Sequence, residues 1–415
     1  MYALTNPSMR YAWGSPDAIP ALMGVEPDGR PLAEVWMGAH PASPSMVSLD
    51  GEQVRLDELI ARSPQTVFGA ETAREQGPRL PFMAKLLAAG RPLSLQVHPN
   101  KEQAVEGYRC EDAAGLALTD PRRSYRDRSD KPEMLYALSP FEMLAGFRPL
   151  DVSRELLAGL EVDELTPVVD ALRGPGEALR SALTLLLCAP GEEQRALTRA
   201  VVDSARERRR TRPGYQLVDD LAKHHPHDVG VVVSLFLNRV RLEPGEAVFV
   251  PPGMIHSYLD GLGLEILAAS DNVLRAGLTE KHVDPVELLR LVTFSPGEPP
   301  RLQPKITGEV ASFVAPVPGF ALWTYRPGPR DASGRGDAVG PRDASGPRDA
   351  SGRGDAVAAP SAGARIAVCC AGRATLTCGD ERLELGPGQA AFIPDGDGPL
   401  RVVATGLLAV VLSRP

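Results

Sequence analysis

An eight-residue segment that occurs twice in the chain constrains its fold most. The segment Pro244-Gly-Glu-Ala-Val-Phe-Val-Pro251 reappears as Pro387-Gly-Gln-Ala-Ala-Phe-Ile-Pro394, with Pro-Gly, Ala, Phe and the closing Pro in the same places. Pro-Gly favours a tight turn, the apolar run favours a buried strand, and the last proline ends the pairing. The sequence therefore predicts two related β units, one around each copy.

The two copies differ in the residues that come after them. A turn, a strand and a closing proline are typical of the small jelly-roll barrels called cupins. The first copy fits the second cupin motif, G-x5-P-x-G-x2-H-x3-N, with Asp at the last place: Gly245, Pro251, Gly253, His256 and Asp260. The second copy continues into Asp-Gly-Asp-Gly and has no histidine. We therefore expect two cupin-like jelly-roll barrels, of which the first can hold a metal and the second cannot.

The chain between and around these copies changes character twice. Up to residue 150 it is rich in turns and short alternating segments, which favour an antiparallel sheet. Apolar residues then recur at spacings of three and four, which predicts helices, and strand character returns at residues 229–237. The expected fold class is mainly β with an α insertion. The predicted domains are a discontinuous catalytic cupin domain at 1–150 and 227–305, an inserted helical domain at 151–226, and a C-terminal cupin-like domain at 306–415.

A hexapeptide repeat fills residues 329–357. Its units read PRDASG or RGDAVG, so that arginine balances aspartate and no large apolar residue occurs. Such a segment cannot bury a core, and we expect a disordered loop within the C-terminal domain. The two RGD triplets are by-products of the repeat and do not indicate adhesion.

Charge and hydropathy exclude several classes of protein. The net charge is −8 with no basic block, which argues against binding to duplex nucleic acid. The longest apolar runs are too short to span a bilayer, and the N-terminus has no signal-peptide pattern. The five cysteines form no CxxC pair. These features predict a cytoplasmic protein with no nucleic-acid or membrane partner and no evident obligate protein partner.

Four side chains form a candidate metal site. Gln96 and His98 stand two apart in an alternating segment and therefore share one face of a strand. Glu133 is the next carboxylate in a strand-like context, and His256 comes from the cupin motif. A nitrogen and oxygen set with two histidines suits zinc, although Fe(II), Mn and Co remain alternatives. A single histidine on a strand is more often only a buried polar residue, so the prediction depends on the joint fit.

The histidines at 224, 225 and 227 are a competing metal candidate. They follow a predicted helix and precede a predicted strand, and a solvated helix C-terminus explains them better than a metal.

The chain resembles the type I phosphomannose isomerases, which are zinc-dependent mannose-6-phosphate isomerases. The resemblance follows the family's order to about residue 292 and is weaker beyond it; the stretches that carry it are Tyr11-Ala-Trp-Gly-Ser, Glu34-Val-Trp-Met-Gly-Ala-His-Pro, Pro81-Phe-Met-Ala-Lys-Leu-Leu, Leu93-Ser-Leu-Gln-Val-His-Pro-Asn-Lys, Asp130-Lys-Pro-Glu-Met, Ala145-Gly-Phe-Arg, Val250-Pro-Pro-Gly-Met-Ile-His-Ser-Tyr and Ser270-Asp-Asn-Val-Leu-Arg-Ala-Gly-Leu-Thr-Glu-Lys. The repeat tract is a departure that the family does not require.

This resemblance implies interconversion of mannose 6-phosphate and fructose 6-phosphate through a cis-enediol, supplying mannose phosphates for GDP-mannose and polysaccharide synthesis or mannose use. It implies one Zn2+ per chain and a small sugar phosphate as the substrate. The implied zinc ligands are Gln96, His98, Glu133 and His256, and the implied active-site arginine is Arg275.

The other roles stay open at this point. Arg275 cannot usefully deprotonate, so we expect it to stabilise the enediolate or hold the substrate. Lys131 and Glu265 are rival candidates for proton transfer, and Glu265 could instead be an edge-strand residue paired with an arginine. The candidates for contacts to the phosphate or hydroxyls are Lys85, Ser94 and Lys281. Only six of the 45 basic residues are lysines, which adds weight to the lysines among them.

Two other classes of function remain as alternatives. Two histidines and a carboxylate also occur in metal-dependent dioxygenases, but a fourth ligand at Gln96 argues against that chemistry. A non-catalytic sugar-binding or regulatory cupin would have degraded ligand positions, whereas the first copy is intact. A fused guanylyl-transferase activity has no support, since no Gly-rich nucleotide loop precedes the motifs.

Overall fold

The computed structural model describes residues 1–174, 176–328, 356–360 and 363–414. Residues 329–355 of the hexapeptide repeat lie outside this part of the chain, and so does the prediction made for them.

The described residues form strands β1 to β24 and helices α1 to α12. The strands, in order, are Tyr2–Leu4, Ser8–Met9, Glu34–Met37, Met46–Leu49, Glu52–Arg55, Phe82–Ala89, Leu95–Val97, Glu133–Ala137, Phe141–Phe147, Leu237–Leu242, Ala247–Val250, His256–Ala268, Leu274–Gly277, Arg301–Leu302, Lys305–Thr307, Val310–Val314, Gly319–Tyr325, Val357–Ala358, Arg365–Cys369, Ala374–Cys378, Glu381–Leu385, Ala390–Ile393, Arg401–Ala404 and Leu408–Arg414. The helices are Ala18–Met23, Leu56–Arg62, Pro64–Phe68, Ala70–Gln76, Lys101–Ala113, Leu150–Ala158, Thr166–Ala171, Ala178–Leu187, Gly191–Arg208, Pro213–Ala222, Gly230–Val233 and Pro285–Leu291. Short 3-10 helices lie at Asp163–Leu165, Ser234–Phe236 and Asp395–Asp397.

The architecture is mainly β, as the sequence predicts, and its sheets are antiparallel. An 11-stranded sheet dominates the first part of the chain, and a 7-stranded and a 4-stranded sheet form the C-terminal part. A further hairpin pairs β4 with β5. Strand β1, at the N-terminus, pairs with β22 and thereby joins the 7-stranded sheet. The N-terminus therefore packs on the C-terminal unit.

The long strand β12 organises the 11-stranded sheet. Its first residues pair with β7 and β9, and its later residues, from Gly261 onward, pair with β6 and β8. Gly261 has φ 120°, and a Cβ there would lie 2.6 Å from the carbonyl oxygen of Pro140. Only glycine fits this bend, at which the strand changes partners. Both branches of the sheet then line one buried apolar cluster, which includes Leu87, Leu135 and Met143.

Both copies of the repeated segment form the predicted turn and strand. The first is β11 and the second is β22, and each begins just after a glycine with a positive φ, 98° at Gly245 and 76° at Gly388. The outer face of the first sheet packs against the C-terminal sheet in a shared core that contains Met134, Phe392 and Ile366. The repeat therefore marks equivalent strands in two β units that pack together.

Helices α6 to α10 follow one another from Leu150–Ala158 to Pro213–Ala222, where the sequence predicts helices. Their apolar faces share a core with residues of the β region such as Leu95 and Phe147.

The prediction of a strand at 229–237 is wrong. These residues form α11 and a 3-10 turn, and the strand β10 begins only at Leu237. A short continuous apolar run does not distinguish a buried helix from a buried strand, and here every residue from Gly230 to Leu237 is buried on all sides.

Among the described residues, no helix combines the length and the apolarity that crossing a membrane requires.

The five cysteines are expected to fall into two classes by their reactivity toward thiol reagents. Cys110 and Cys188 are exposed, whereas Cys369, Cys370 and Cys378 are buried in the C-terminal unit. Burial raises the pKa of the Cys369 thiol to about 11 and that of Cys370 to about 12, so few thiolates form at neutral pH. A thiol reagent at pH 8 should label two cysteines in the native protein and five after denaturation. Rapid labelling of Cys370 in the native protein would contradict this packing.

Candidate functional site

Three buried side chains meet where three strands begin or end. His98 follows β7 directly, Glu133 is the first residue of β8, and His256 is the first residue of β12. The distance from His98 Nε2 to Glu133 Oε1 is 3.2 Å, and that from His256 Nε2 to Glu133 Oε2 is 3.3 Å. Each of the three residues is at most 2% exposed. Residues that are far apart in the chain are therefore brought together around one carboxylate.

The orientation of each imidazole is set by a main-chain carbonyl. His98 Nδ1 lies 2.8 Å from the oxygen of Asn272, and His256 Nδ1 lies 3.1 Å from that of Met254. A carbonyl only accepts, so each Nδ1 carries the proton and each Nε2 of a neutral ring presents a lone pair. Burial lowers the pKa of His98 to about 4, so this ring is neutral at pH 7.

The geometry of this group fits a divalent cation. Neither Nε2 has a hydrogen-bond partner, although both atoms are buried. Two nitrogen lone pairs facing two carboxylate oxygens repel one another unless a positive charge lies between them. Ligating histidines typically donate the other ring N–H to a carbonyl, as both do here. A set of two imidazoles and a carboxylate within 4.8 Å of one another suits zinc. In the part of the chain that the structure describes, this is the one such group found.

Gln96 lies beside this group in the sheet. It is the register partner of His256 in β12 and of Arg275 in β13. Side chains at directly opposite positions point to the same face and have neighbouring Cβ atoms. The fold therefore brings Gln96 next to both a candidate ligand and the candidate active-site arginine.

Two buried lysines are paired with carboxylates in the same region. Lys131 Nζ is 3.2 Å from Glu133 Oε1. Lys85 Nζ is 3.2 Å from Glu265 Oε2 and 3.5 Å from Glu34 Oε1. Burial opposes the charge of Lys85, but the carboxylates of Glu34 and Glu265 outweigh it and raise its pKa. The ammonium group of Lys85 is therefore held charged near the candidate metal ligands.

The alternative interpretation of Glu265 as an edge-strand residue paired with an arginine is wrong. Glu265 lies in β12 between β6 and β8, where its register partners are Lys85 and Leu135. It is 4% exposed, and its partner is a lysine because β6 supplies one at the opposite position.

Several residues that the sequence interpretation did not assign to the site also lie there. The Tyr258 hydroxyl is 3.5 Å from Glu133 Oε2 and donates to it. Trp36 donates from Nε1 to Glu34 Oε2 at 2.7 Å, and its ring lies 5.2 Å from Lys85 Nζ. Glu34 and Trp36 belong to one of the stretches that resemble the isomerases, and this resemblance is the sequence feature that could have indicated their place in the site.

Three cations, Arg275, Arg126 and Lys281, affect one another electrostatically at another part of the site. Burial lowers the pKa of Arg275, and the charge of Arg126 lowers it further. Burial likewise lowers the pKa of Lys281, and Arg275 and Arg126 add to the effect. Arg126 was missed in the sequence because nothing in its spacing connects it with the other two. Ser94 is half-buried just before β7. Mutually repelling cations are a suitable environment for a dianion.

Comparison with known proteins identifies the family. Residues 1–150 match the family model described as the catalytic domain of type I phosphomannose isomerase. The mannose-6-phosphate isomerase of Escherichia coli K12 is 36% identical over 420 residues, which cover 100% of both chains. The chain belongs to the mannose-6-phosphate isomerase family. A more distant family member, mannose-6-phosphate isomerase 1 of Arabidopsis thaliana, is 33% identical over 68% of each chain.

Solved structures of the family have the same fold over the whole chain. One is the Salmonella typhimurium mannose 6-phosphate isomerase bound to its substrate fructose 6-phosphate and to zinc, with a TM-score of 0.85 and 33% identity over 100% of both chains. Another is a zinc-bound mannose 6-phosphate isomerase with a TM-score of 0.84 and 33% identity, covering 100% of this chain and 99% of that one.

Zinc is expected to stabilise the metal-free protein against heat. It would bind the folded chain where His98, Glu133 and His256 meet, and a ligand at about a thousand times its dissociation constant contributes about 4 kcal/mol. Calorimetry with and without zinc should show a rise in the unfolding midpoint. His98→Ala should lose most of that rise, whereas the exposed His227→Ala should keep it. An unchanged rise in His98→Ala would contradict the proposed ligand set.

Proposed function

We propose that this protein is a zinc-dependent aldose–ketose isomerase that interconverts mannose 6-phosphate and fructose 6-phosphate through a cis-enediol. The observation that carries the proposal is the pair of unpartnered imidazole Nε2 atoms facing Glu133 in a chain that matches isomerases over its full length. One zinc ion per chain would be held by Gln96, His98, Glu133 and His256. The full-length similarity favours this function over the dioxygenase and the sugar-binding alternatives.

The four proposed ligands carry a single negative charge, so a divalent ion held by them would leave the site with a net positive charge. When bound there, zinc supplies Lewis-acid stabilisation of the negative charge that develops on the substrate oxygen. His98 and His256 contribute neutral nitrogen donors, and Glu133 contributes the single carboxylate among the four ligands. Lys131, paired with Glu133 at 3.2 Å, adds an ammonium donor beside the ligands.

Glu265 is the better of the two candidates for proton transfer. The reaction requires a group that removes a proton from C2 and returns one to C1. A carboxylate can accept a proton directly, whereas an ammonium group such as that of a lysine has no lone pair and would first have to lose a proton. We therefore assign the base to Glu265 and a hydrogen-bond donor role to Lys131. Lys85, which is engaged by Glu34 and Glu265, holds the base in position.

The substrate phosphate is assigned to two of the three clustered cations. Lys281 and Arg126 would bind the dianion, and Ser94 would donate a hydrogen bond to a phosphate oxygen or hydroxyl. Arg275, the third of these cations, lies beside Gln96 in the sheet and would stabilise the enediolate.

The domain organisation is proposed on the same basis. A catalytic cupin barrel at 1–150 and 227–305, a helical insertion at 151–226 and a C-terminal cupin-like unit at 306–415 are supported by the equivalent strands β11 and β22 and by the run of helices α6 to α10. We propose that the enzyme acts in the cytoplasm and supplies mannose phosphates for GDP-mannose and polysaccharide synthesis or for mannose use.

Removal of the metal is expected to abolish the interconversion of the two sugar phosphates. Dialysis against a chelator should remove activity, and added zinc should restore it together with one zinc per chain by elemental analysis. Activity that survives complete metal removal would rule out the proposed mechanism.

Arg275 and Arg126 are expected to affect different kinetic constants. Arg275→Ala should keep its zinc and lower kcat by about a hundredfold or more, since removing a donor to a developing oxyanion typically costs about 10²–10³. Arg126→Ala should mainly raise KM, because its charge attracts phosphate in both the ground state and the transition state. Arg122→Ala, in the same loop but paired with Asp120, is the matched control. Loss of zinc from Arg275→Ala would contradict its assigned role.

A further inference from the structure

Asn272 is a fully buried amide whose hydrogen-bonding groups are all used. Its Oδ1 accepts from the main-chain N–H groups of Arg126 at 2.7 Å and Asp127 at 3.1 Å. Its Nδ2 donates to the carbonyls of Asp127 at 2.9 Å and Ser129 at 2.8 Å. The side chain thereby fixes the main chain of the loop at 126–129, which carries one of the three clustered cations.

The main chain of the same residue fixes a candidate metal ligand. The carbonyl oxygen of Asn272 accepts the hydrogen bond from His98 Nδ1. This contact selects the tautomer that presents Nε2 to Glu133. One residue therefore contacts both His98 and the loop that carries Arg126.

The loop at 126–129 in turn binds the segment at 270–272 through the side chain of Asp127. The carboxylate of Asp127 accepts from Ser270 Oγ at 2.9 Å and from the main-chain N–H of Asp271 at 2.8 Å. It also accepts from the N–H of Ser129 at 2.8 Å, within its own loop. The loop at 126–129 and the segment at 270–272 thus hold each other, so that a shift of one displaces the other.

We propose that Asn272 is a positioning residue that couples the metal end of the site to its phosphate end. The proposal rests on the proposed function, since it takes His98 as a zinc ligand and Arg126 as a phosphate contact. Asn272 itself is buried at 0% exposure and acts through these two residues. Its effect must therefore appear in the binding of both the metal and the anion.

Two substitutions separate the contributions of the amide. Asn272→Asp keeps an acceptor for the N–H groups of Arg126 and Asp127 but replaces the two donated bonds with an oxygen that faces carbonyl oxygens. Asn272→Ala removes the amide partner of four main-chain polar groups of the loop, of which, within the described part of the chain, only the carbonyl of Ser129 keeps another contact, with Ser270 Oγ at 3.3 Å. Asn272→Asp preserves the shape of the side chain and carries the test if Asn272→Ala fails to fold.

The experiment measures two equilibria rather than turnover. Zinc affinity is measured by chelator competition on the metal-free full-length protein, and phosphate affinity by calorimetric titration of the zinc-loaded protein with inorganic phosphate. Asn272→Asp keeps the carbonyl that orients His98 but disturbs the segment that carries it, so zinc binding should weaken by about 10-fold, the lower end of the effect of losing a residue that orients a ligand. Phosphate binding should weaken severalfold. Arg126→Ala should weaken phosphate binding alone.

Gln194→Glu is the matched control. The Gln194 amide also donates to two main-chain carbonyls, those of Leu186 and Leu187, but within the helical region. This variant should bind zinc and phosphate as the wild type does.

The outcomes distinguish the coupling from the proposed function. Wild-type affinities in the Asn272 variants, or the loss of only one of the two affinities, would overturn the coupling while leaving the isomerase proposal intact. A wild-type protein that binds no zinc would overturn both.

Discussion

The contact on which the rest of the site depends is that of Glu133 with two histidine Nε2 atoms at 3.2 and 3.3 Å. It requires the start of β8, the end of β7 and the start of β12 to meet, and the bend at Gly261 lets β12 serve both branches of the sheet. Because carbonyls occupy the Nδ1 atoms, the lone pairs converge on one point. A cation at that point would stabilise this buried arrangement.

The charges around this point are balanced for a metal and an anionic substrate. Three buried carboxylates, Glu34, Glu133 and Glu265, face the buried ammonium groups of Lys85 and Lys131. With neutral histidines, this cluster is formally one negative charge in excess, which a divalent ion converts into one positive charge. Arg126 and Lys281 add positive charge near Arg275. Under the proposed function, these would be separate positive regions for a reacting oxygen and for a phosphate.

Local sequence patterns predicted the parts of the fold that local interactions determine. The repeated Pro-Gly segment predicted β11 and β22, and the cupin spacing identified His256 in advance. The helix at 230–233 was missed because its apolar run has no period that separates helix from strand. The pairing of Lys85 with Glu265 follows from strand register, and the contacts of Asn272 with Arg126 and His98 join distant segments. No spacing in the sequence encodes such contacts, so the sequence predicts the candidate ligands but not the residues that hold them.

X-ray absorption at the zinc edge of the reconstituted protein tests the central claim most directly. The account predicts a first shell of nitrogen and oxygen at about 2.0–2.2 Å, with outer-shell scattering from two imidazoles. His256→Ala should reduce the imidazole contribution to one ring or lose the metal. A sulfur shell at about 2.3 Å, or a spectrum without imidazole scattering, would contradict the convergence of His98 and His256 on one ion.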